Sequence, residues 1–141
     1  MKTVIGLDPG TATGVAIMQD GALMSLSTIN PFQIHELLCV MRPQRVVFED
    51  SRLISHSFTT VKSRAGALKI ARNVGEIDAW CKLIVLACES LNIPAHGISP
   101  KAKGKKLNAD QFKALTGWAL KSNQHERDAA MVAWKYRGAA A

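Results

Sequence analysis

A chain of 141 residues with 48% hydrophobic content is long enough to close one packed core without disulfide or metal staples, and its composition excludes a disordered or fibrous protein. Eighteen Lys and Arg against eleven Asp and Glu leave a formal charge of +7 and a pI near 9.6, which favours a polyanionic partner. A single cytoplasmic domain over residues 1–141 is expected. No stretch is long enough to span a membrane, no secretory h-region follows Met1-Lys2, and Cys39, Cys81 and Cys88 are odd in number without CxxC spacing, as core thiols would be.

Thr3 to Asp8 reads as a short buried strand, stopped by the turn chemistry of Pro9-Gly10-Thr11. Gly14 to Gln19 predicts a second strand, Asp20-Gly21 a two-residue hairpin, and Ala22 to Ile29 the third strand of an antiparallel meander. Asn30 with Pro31 starts a helix that carries Ile34, Leu37, Leu38 and Met41 on one face, and Pro43 ends it. Arg45 to Glu49 is another strand, in which Val47 and Glu49 share one face and Val46 and Phe48 the other. Ser51 to Thr60 shows no period and reads as a mobile loop.

From about Ser63 a long helix is predicted to run to Leu91, with Ile70, Val74, Ile77, Cys81, Ile84, Cys88 and Leu91 spaced alternately by four and three residues. Pro94 to Ile98 reads as a fifth strand and Ser99 to Leu107 as a lysine-rich loop. Asn108 or Asp110 caps a helix holding Phe112, Leu115 and Trp118, after which Asn123 opens a final helix ending near Gly138. The order βββαβαβα is that of an α/β domain, a mixed sheet covered by helices.

Four residues fall where chemistry could gather. Asp8 ends the first strand, Glu49 ends the fourth, and His125 and Asp128 stand three apart in the first turns of the last helix. If the two strands are parallel neighbours joined by a right-handed crossover, both carboxylates leave the sheet at one edge. Residues at i and i+3 share a helix face, so His125 and Asp128 can turn to that edge together. Three carboxylates and an imidazole at one point repel unless a divalent cation with hard oxygen ligands joins them. Two such ions about 4 Å apart activate a water and stabilise the leaving oxygen in phosphodiester hydrolysis. Asp8 is assigned as the ligand bridging both ions, and Glu49 and Asp128 as completing one each. His125 is either a metal ligand or a proton-transfer group.

Structural readings compete for each position. Asp8 before Pro9-Gly10 could form a turn, and Glu49 could be a surface strand end with Asp50 as its rival. His125, Glu126 and Asp128 could simply favour the positive end of the helix, the reading preferred for Glu126. Glu49 is preferred to Asp50 because Asp50 points to the opposite face of a regular strand.

Beyond these residue-level readings, GLDPGTATGVAI resembles the opening motif of RuvC-type Holliday-junction resolvases, VVFED resembles their glutamate-bearing strand, and HERDAAMVAW resembles their closing acidic helix. The three lie in the right order along the chain. The resemblance implies an RNase H-like fold with a five-stranded mixed sheet, antiparallel among strands one to three and parallel among strands one, four and five. It also implies a homodimer, two Mg²⁺ or Mn²⁺ ions per active site, and paired symmetric nicks across a four-way DNA junction. Position by position it makes Asp8, Glu49, His125 and Asp128 catalytic and metal-binding, although some members carry Asp where His125 stands. The aromatic wedge that bacterial members place three residues after the glutamate is Arg52 here, with Phe58 or His56 of the following loop as substitutes. The compact length and divergent middle resemble the phage-encoded branch.

The basic clusters have two readings. Arg52, Lys62, Arg64 and Lys69 flank the glutamate strand, and Lys101, Lys103, Lys105 and Lys106 follow the fifth strand. Each cluster is either a solvated face or, in a junction enzyme, a set of phosphate contacts beside the catalytic edge. The long-helix stripe likewise packs on its own sheet or forms the seam of a C2 dimer, where Gly66 and Gly75 permit close approach. Three rivals remain. A YqgF-like nuclease acting on structured RNA would share the metal site. A sugar-kinase or actin-like ATPase has a turn like DPGTATG but needs two domains and a second phosphate loop, so no nucleotide cofactor is expected. A non-catalytic junction-binding module would have no use for all four ligands.

Overall fold

The computed structural model describes residues 1–53, 63–102 and 104–138. Five strands, β1 (Thr3–Asp8), β2 (Thr13–Gln19), β3 (Ala22–Ile29), β4 (Arg45–Glu49) and β5 (Ala95–Ile98), form one sheet in the order β3-β2-β1-β4-β5. β1 runs antiparallel to β2, and β2 to β3, while β1, β4 and β5 are parallel. Four α-helices cover it: α1 (Ile34–Met41), α2 (Arg64–Ser90), α3 (Ala109–Thr116) and α4 (Gln124–Ala133). This is the expected α/β mixed sheet, and α1 to α4 stand where the sequence reading placed its four helices.

The strands follow their sequence closely. β1 is buried along nearly its whole length, as a central strand covered on both faces must be. Asp20 at φ 50° and Gly21 at φ 85° supply the two left-handed residues of the β2-β3 hairpin. Asn30 closes a capping box, accepting from Phe32 N at 2.9 Å while its own N–H donates to Gln33 Oε1 at 2.9 Å. A 3-10 turn over Pro31–Gln33 leads into α1. Arg42, left-handed at φ 44°, stops α1 by donating its N–H to Leu38 O at 2.9 Å.

Alternation along the strands makes two cores, one on each face. Ile5, Leu7, Val15, Val46 and Phe48 pack against Ile34 and Leu38 of α1 and against Cys81, Ile84 and Cys88 of α2. Val4, Ala16, Met18 and Val47 pack against Phe112 of α3 and against Ala129, Ala130, Val132 and Ala133 of α4.

The ends of α3 and α4 differ from the sequence reading, and so does the burial of the α2 stripe. α3 stops at Thr116 because Gly117 turns left-handed at φ 80°, so Trp118 lies beyond the helix and is half-buried against the second core. α4 ends at Ala133 and tightens into a 3-10 turn over Trp134–Tyr136. The stripe on α2 is buried at Cys81, Ile84 and Cys88, but Ile70 and Ile77 are exposed. At 27 residues α2 is about 40 Å long by its helical rise, whereas five-residue β4 spans about 17 Å, so the first half of the helix overhangs the sheet. Of the expected loop after β4, Ser51–Leu53 forms a 3-10 turn. Phe58, His56 and Lys62, like Lys103, lie outside the described residues. Among the described residues no helix is long and apolar enough to cross a membrane.

Candidate active site

The parallel register pairs Leu7 with Phe48, so Asp8 and Glu49 stand side by side as the last residues of β1 and β4. Alternation turns both toward the face that α4 covers, since Val4, Gly6 and Asp8 share one side of β1 and Val47 and Glu49 share one side of β4. The helix reaches them through two glycines. A β carbon on Gly6 would overlap the Ala129 carbonyl and lie 2.9 Å from Ala133 Cβ, and one on Gly14 would overlap the His125 carbonyl. α4 therefore lies directly on the β1-β2 backbone, which a side chain at either position would prevent.

Asp8, Glu49, His125 and Asp128 line one pocket of about 630 Å³, together with Thr11, Ser51, Ile77, Lys106 and Gln124 among others. His125 Nδ1 lies 3.4 Å from Asp8 Oδ2. Asp128 is buried, and its Oδ1 accepts from Gln124 Nε2 at 2.8 Å while Lys106 Nζ stands 3.5 Å from its Oδ2. Glu126 does not join them. It closes the α4 capping box with Asn123 and accepts from Thr28 Oγ1 at 3.0 Å, as the helix-end reading expects.

The four expected ligands thus share a pocket, but among the described residues no three His, Cys, Asp or Glu side chains are gathered into a ready-made ion site. The donor chemistry nevertheless fits a hard divalent cation. The pocket offers carboxylate, hydroxyl, amide and imidazole groups, and no thiol lines it.

α2 braces the strand ends that carry Asp8 and Glu49. Thr11 Oγ1, in the turn after β1, donates to Glu76 Oε1 at 2.9 Å. Ser51 Oγ, just after β4, donates to Asp78 Oδ1 at 2.6 Å, and Cys81 Sγ donates to the Glu49 carbonyl at 3.6 Å. Burial pushes the Cys81 thiol up from its ordinary value, so it stays a neutral donor.

Asp50 and Arg52 are occupied with each other. Asp50 is buried, its Oδ1 accepting from Arg52 N at 3.0 Å and Nε at 2.9 Å and its Oδ2 from Nη2 at 2.8 Å. Hydrogen bonding from Arg52 holds the Asp50 carboxyl below its ordinary value despite burial, and the same pairing raises Arg52. Asp50 is therefore turned away from the pocket that Glu49 lines. Arg52, expected to contact phosphate, has Nε and Nη2 committed within the chain. The other expected phosphate contacts among the described residues, Arg64, Lys69, Lys101, Lys105 and Lys106, are all exposed, with Lys106 in the pocket wall.

Sequence reasoning missed several contributors. Gln124 was detectable, because it stands one helical turn before Asp128. Arg127, whose Nε donates to Leu107 O at 3.0 Å and ties the lysine-rich loop to α4, leaves no local signal because the contact spans 20 residues.

No protein-family pattern and no curated protein matches this sequence. In three dimensions the chain is similar to T. thermophilus RuvC in complex with Holliday junction substrate, with a TM-score of 0.64 at 16% identity over 95% of this chain and 91% of that one. It is also similar to the Thermus thermophilus RuvC structure, with a TM-score of 0.62 at 16% identity over 94% and 91%. Together with the strand order β3-β2-β1-β4-β5, these similarities give the chain the RNase H-like fold of RuvC.

Proposed function

We propose that this chain is a divalent-metal-dependent endonuclease that resolves Holliday junctions or related branched DNA by paired symmetric nicks, acting as a homodimer in a single domain. The observation that carries the reading is the pocket in which Asp8, Glu49, His125 and Asp128, drawn from β1, β4 and α4, come together on the fold of RuvC. A similar structure was solved with a Holliday junction substrate, which supports branched DNA as the substrate class.

Asp8, Glu49 and Asp128 would hold Mg²⁺ or Mn²⁺, two ions per site. When bound, the ions supply Lewis acidity toward the scissile phosphate and the leaving oxygen. Asp8, the last residue of β1 beside Glu49, would be the ligand shared by both ions. His125 presents a half-exposed imidazole next to Asp8, where it can ligate an ion or carry a proton to or from the attacking water. The exposed cations Arg64, Lys69, Lys101 and Lys105 would neutralise phosphates along the duplex arms, with Lys62 and Lys103 assigned the same role from sequence. Arg52 would contribute mainly by keeping Asp50 ionised and the Glu49 turn in place.

A homodimer would set two such pockets across the two-fold axis of a four-way junction. The exposed apolar position Ile70 on the overhanging half of α2 supports this reading. The test is a nicking assay on four-way, three-way and linear duplex DNA with Mg²⁺ or Mn²⁺. The parent should cut the four-way junction preferentially. Asp8→Asn should lose about 10²-fold or more in rate while still binding the junction. Equal cutting by Asp8→Asn would end the proposal.

A further inference from the structure

The ion pair between Lys106 and Asp128 is lopsided. Asp128 is fixed, its side chain 6% exposed and its Oδ1 held by Gln124 Nε2, whereas the Lys106 side chain is 67% exposed. A flexible four-carbon stem therefore brings an ammonium 3.5 Å from a buried carboxylate oxygen, with its head still open to solvent. The neighbouring backbone is less free, because Arg127 of α4 grips the Leu107 carbonyl at 3.0 Å. Lys106 is thus tethered at the pocket wall with a head group that can swing away.

A carboxylate removed from water requires a compensating cation. We infer that Lys106 is a resident counter-ion of Asp128, standing on the carboxylate until a divalent cation displaces it, and so raises the metal concentration at which the pocket fills. This rests on the reading of the pocket as a divalent-cation site and adds a competitor built into the chain. Displacement breaks no buried contact at the lysine end and leaves Asp128 paired with the incoming ion. Because the lysine is largely solvated, the competition is worth a severalfold change in affinity rather than orders of magnitude.

Calorimetric titration of the full chain with Mn²⁺, without DNA, tests this. Lys106→Met keeps the stem and removes the charge, and should tighten Mn²⁺ binding about three- to tenfold. Lys106→Arg, which restores the charge, should bind close to the parent. Lys113→Met removes the same net charge from an exposed position on α3 outside the pocket lining and should stay within about twofold of the parent, because solvent and salt screen an exposed charge. Unchanged or weaker Mn²⁺ binding by Lys106→Met, or equal tightening by Lys113→Met, overturns the counter-ion role and leaves the pocket reading standing. A parent that binds no Mn²⁺, or binds it as well after Asp8→Asn, overturns the pocket reading and this inference with it.

Discussion

Gly14 of β2 lies so close beneath His125 of α4 that a β carbon there would overlap the His125 carbonyl and come within 3.0 Å of Glu126 N. The obstruction is backbone, so relief would require the whole first turn of α4 to lift. Gly14→Ala should destabilise the protein by about 1–3 kcal/mol, seen as a fall in Tm of about 3–10 °C. Nicking should fall further than the folded fraction does, by about 10–100-fold, because displacement of His125 and Asp128 disturbs alignment in the site. A Gly14→Ala variant with the parent's Tm and rate would contradict the close packing described here.

Asp50 and Arg52 predict a specific acid sensitivity. The Asp50 carboxyl is held below its ordinary value of 3.8 in the folded chain, so its contribution to stability is present above about pH 4 and is lost as pH falls through the lowered folded value. Urea unfolding between pH 5 and pH 2 should show a steeper loss for the parent than for Asp50→Asn. At neutral pH, Arg52→Met should cost about 1–3 kcal/mol by leaving Asp50 buried without its main donors. If both variants follow the parent curve, the pair contributes nothing measurable.

The three cysteines should differ in reactivity. Cys81 and Cys88 are buried, and burial pushes the Cys88 thiol up to about 11, so both remain neutral at pH 8. Cys39 is half-buried on α1, beside His35. A thiol-reactive dye added to native protein should therefore label Cys39 first, and Cys39→Ser should remove the fast phase. Fast labelling of Cys81 would mean that the contact between α2 and β4 opens readily.

The overhanging half of α2 provides the test of assembly. In a homodimer that uses this helix, Ile70→Glu should shift sedimentation toward monomer while keeping the parent's circular-dichroism spectrum, since Ile70 is exposed within one chain. A parent that sediments as a strict monomer even with junction DNA would remove the dimer from the proposal.

The sheet was legible because its signals are local. The continuous apolar run of β1, the Asp20-Gly21 turn and the Asn30-Pro31 start each act within a few residues and appear where expected. The preference for Glu49 over Asp50 came from strand alternation alone; in the fold Glu49 lines the pocket and Asp50 turns to Arg52. What escaped depends on tertiary contact. Gly6 and Gly14 read only as residues of the first and second strands, yet their consequence lies in a helix more than a hundred residues away. Lys106 looked like one lysine among four, and nothing in a run of lysines tells which one a distant aspartate will hold. The α2 stripe kept its period past the point where the sheet ends, because periodicity records an apolar face without recording what covers it.

Asp8 and His125, 117 residues apart in sequence, meet 3.4 Å apart in space. The pocket therefore exists only when the chain has closed from β1 to α4. During synthesis β1, β4 and their carboxylates emerge well before α4, and a nascent chain lacking that helix has half a site and no imidazole. Such a long closure is entropically slow compared with forming a hairpin or a helix. Docking of α4 onto the bare backbone at Gly6 and Gly14 therefore completes the second core and the pocket together.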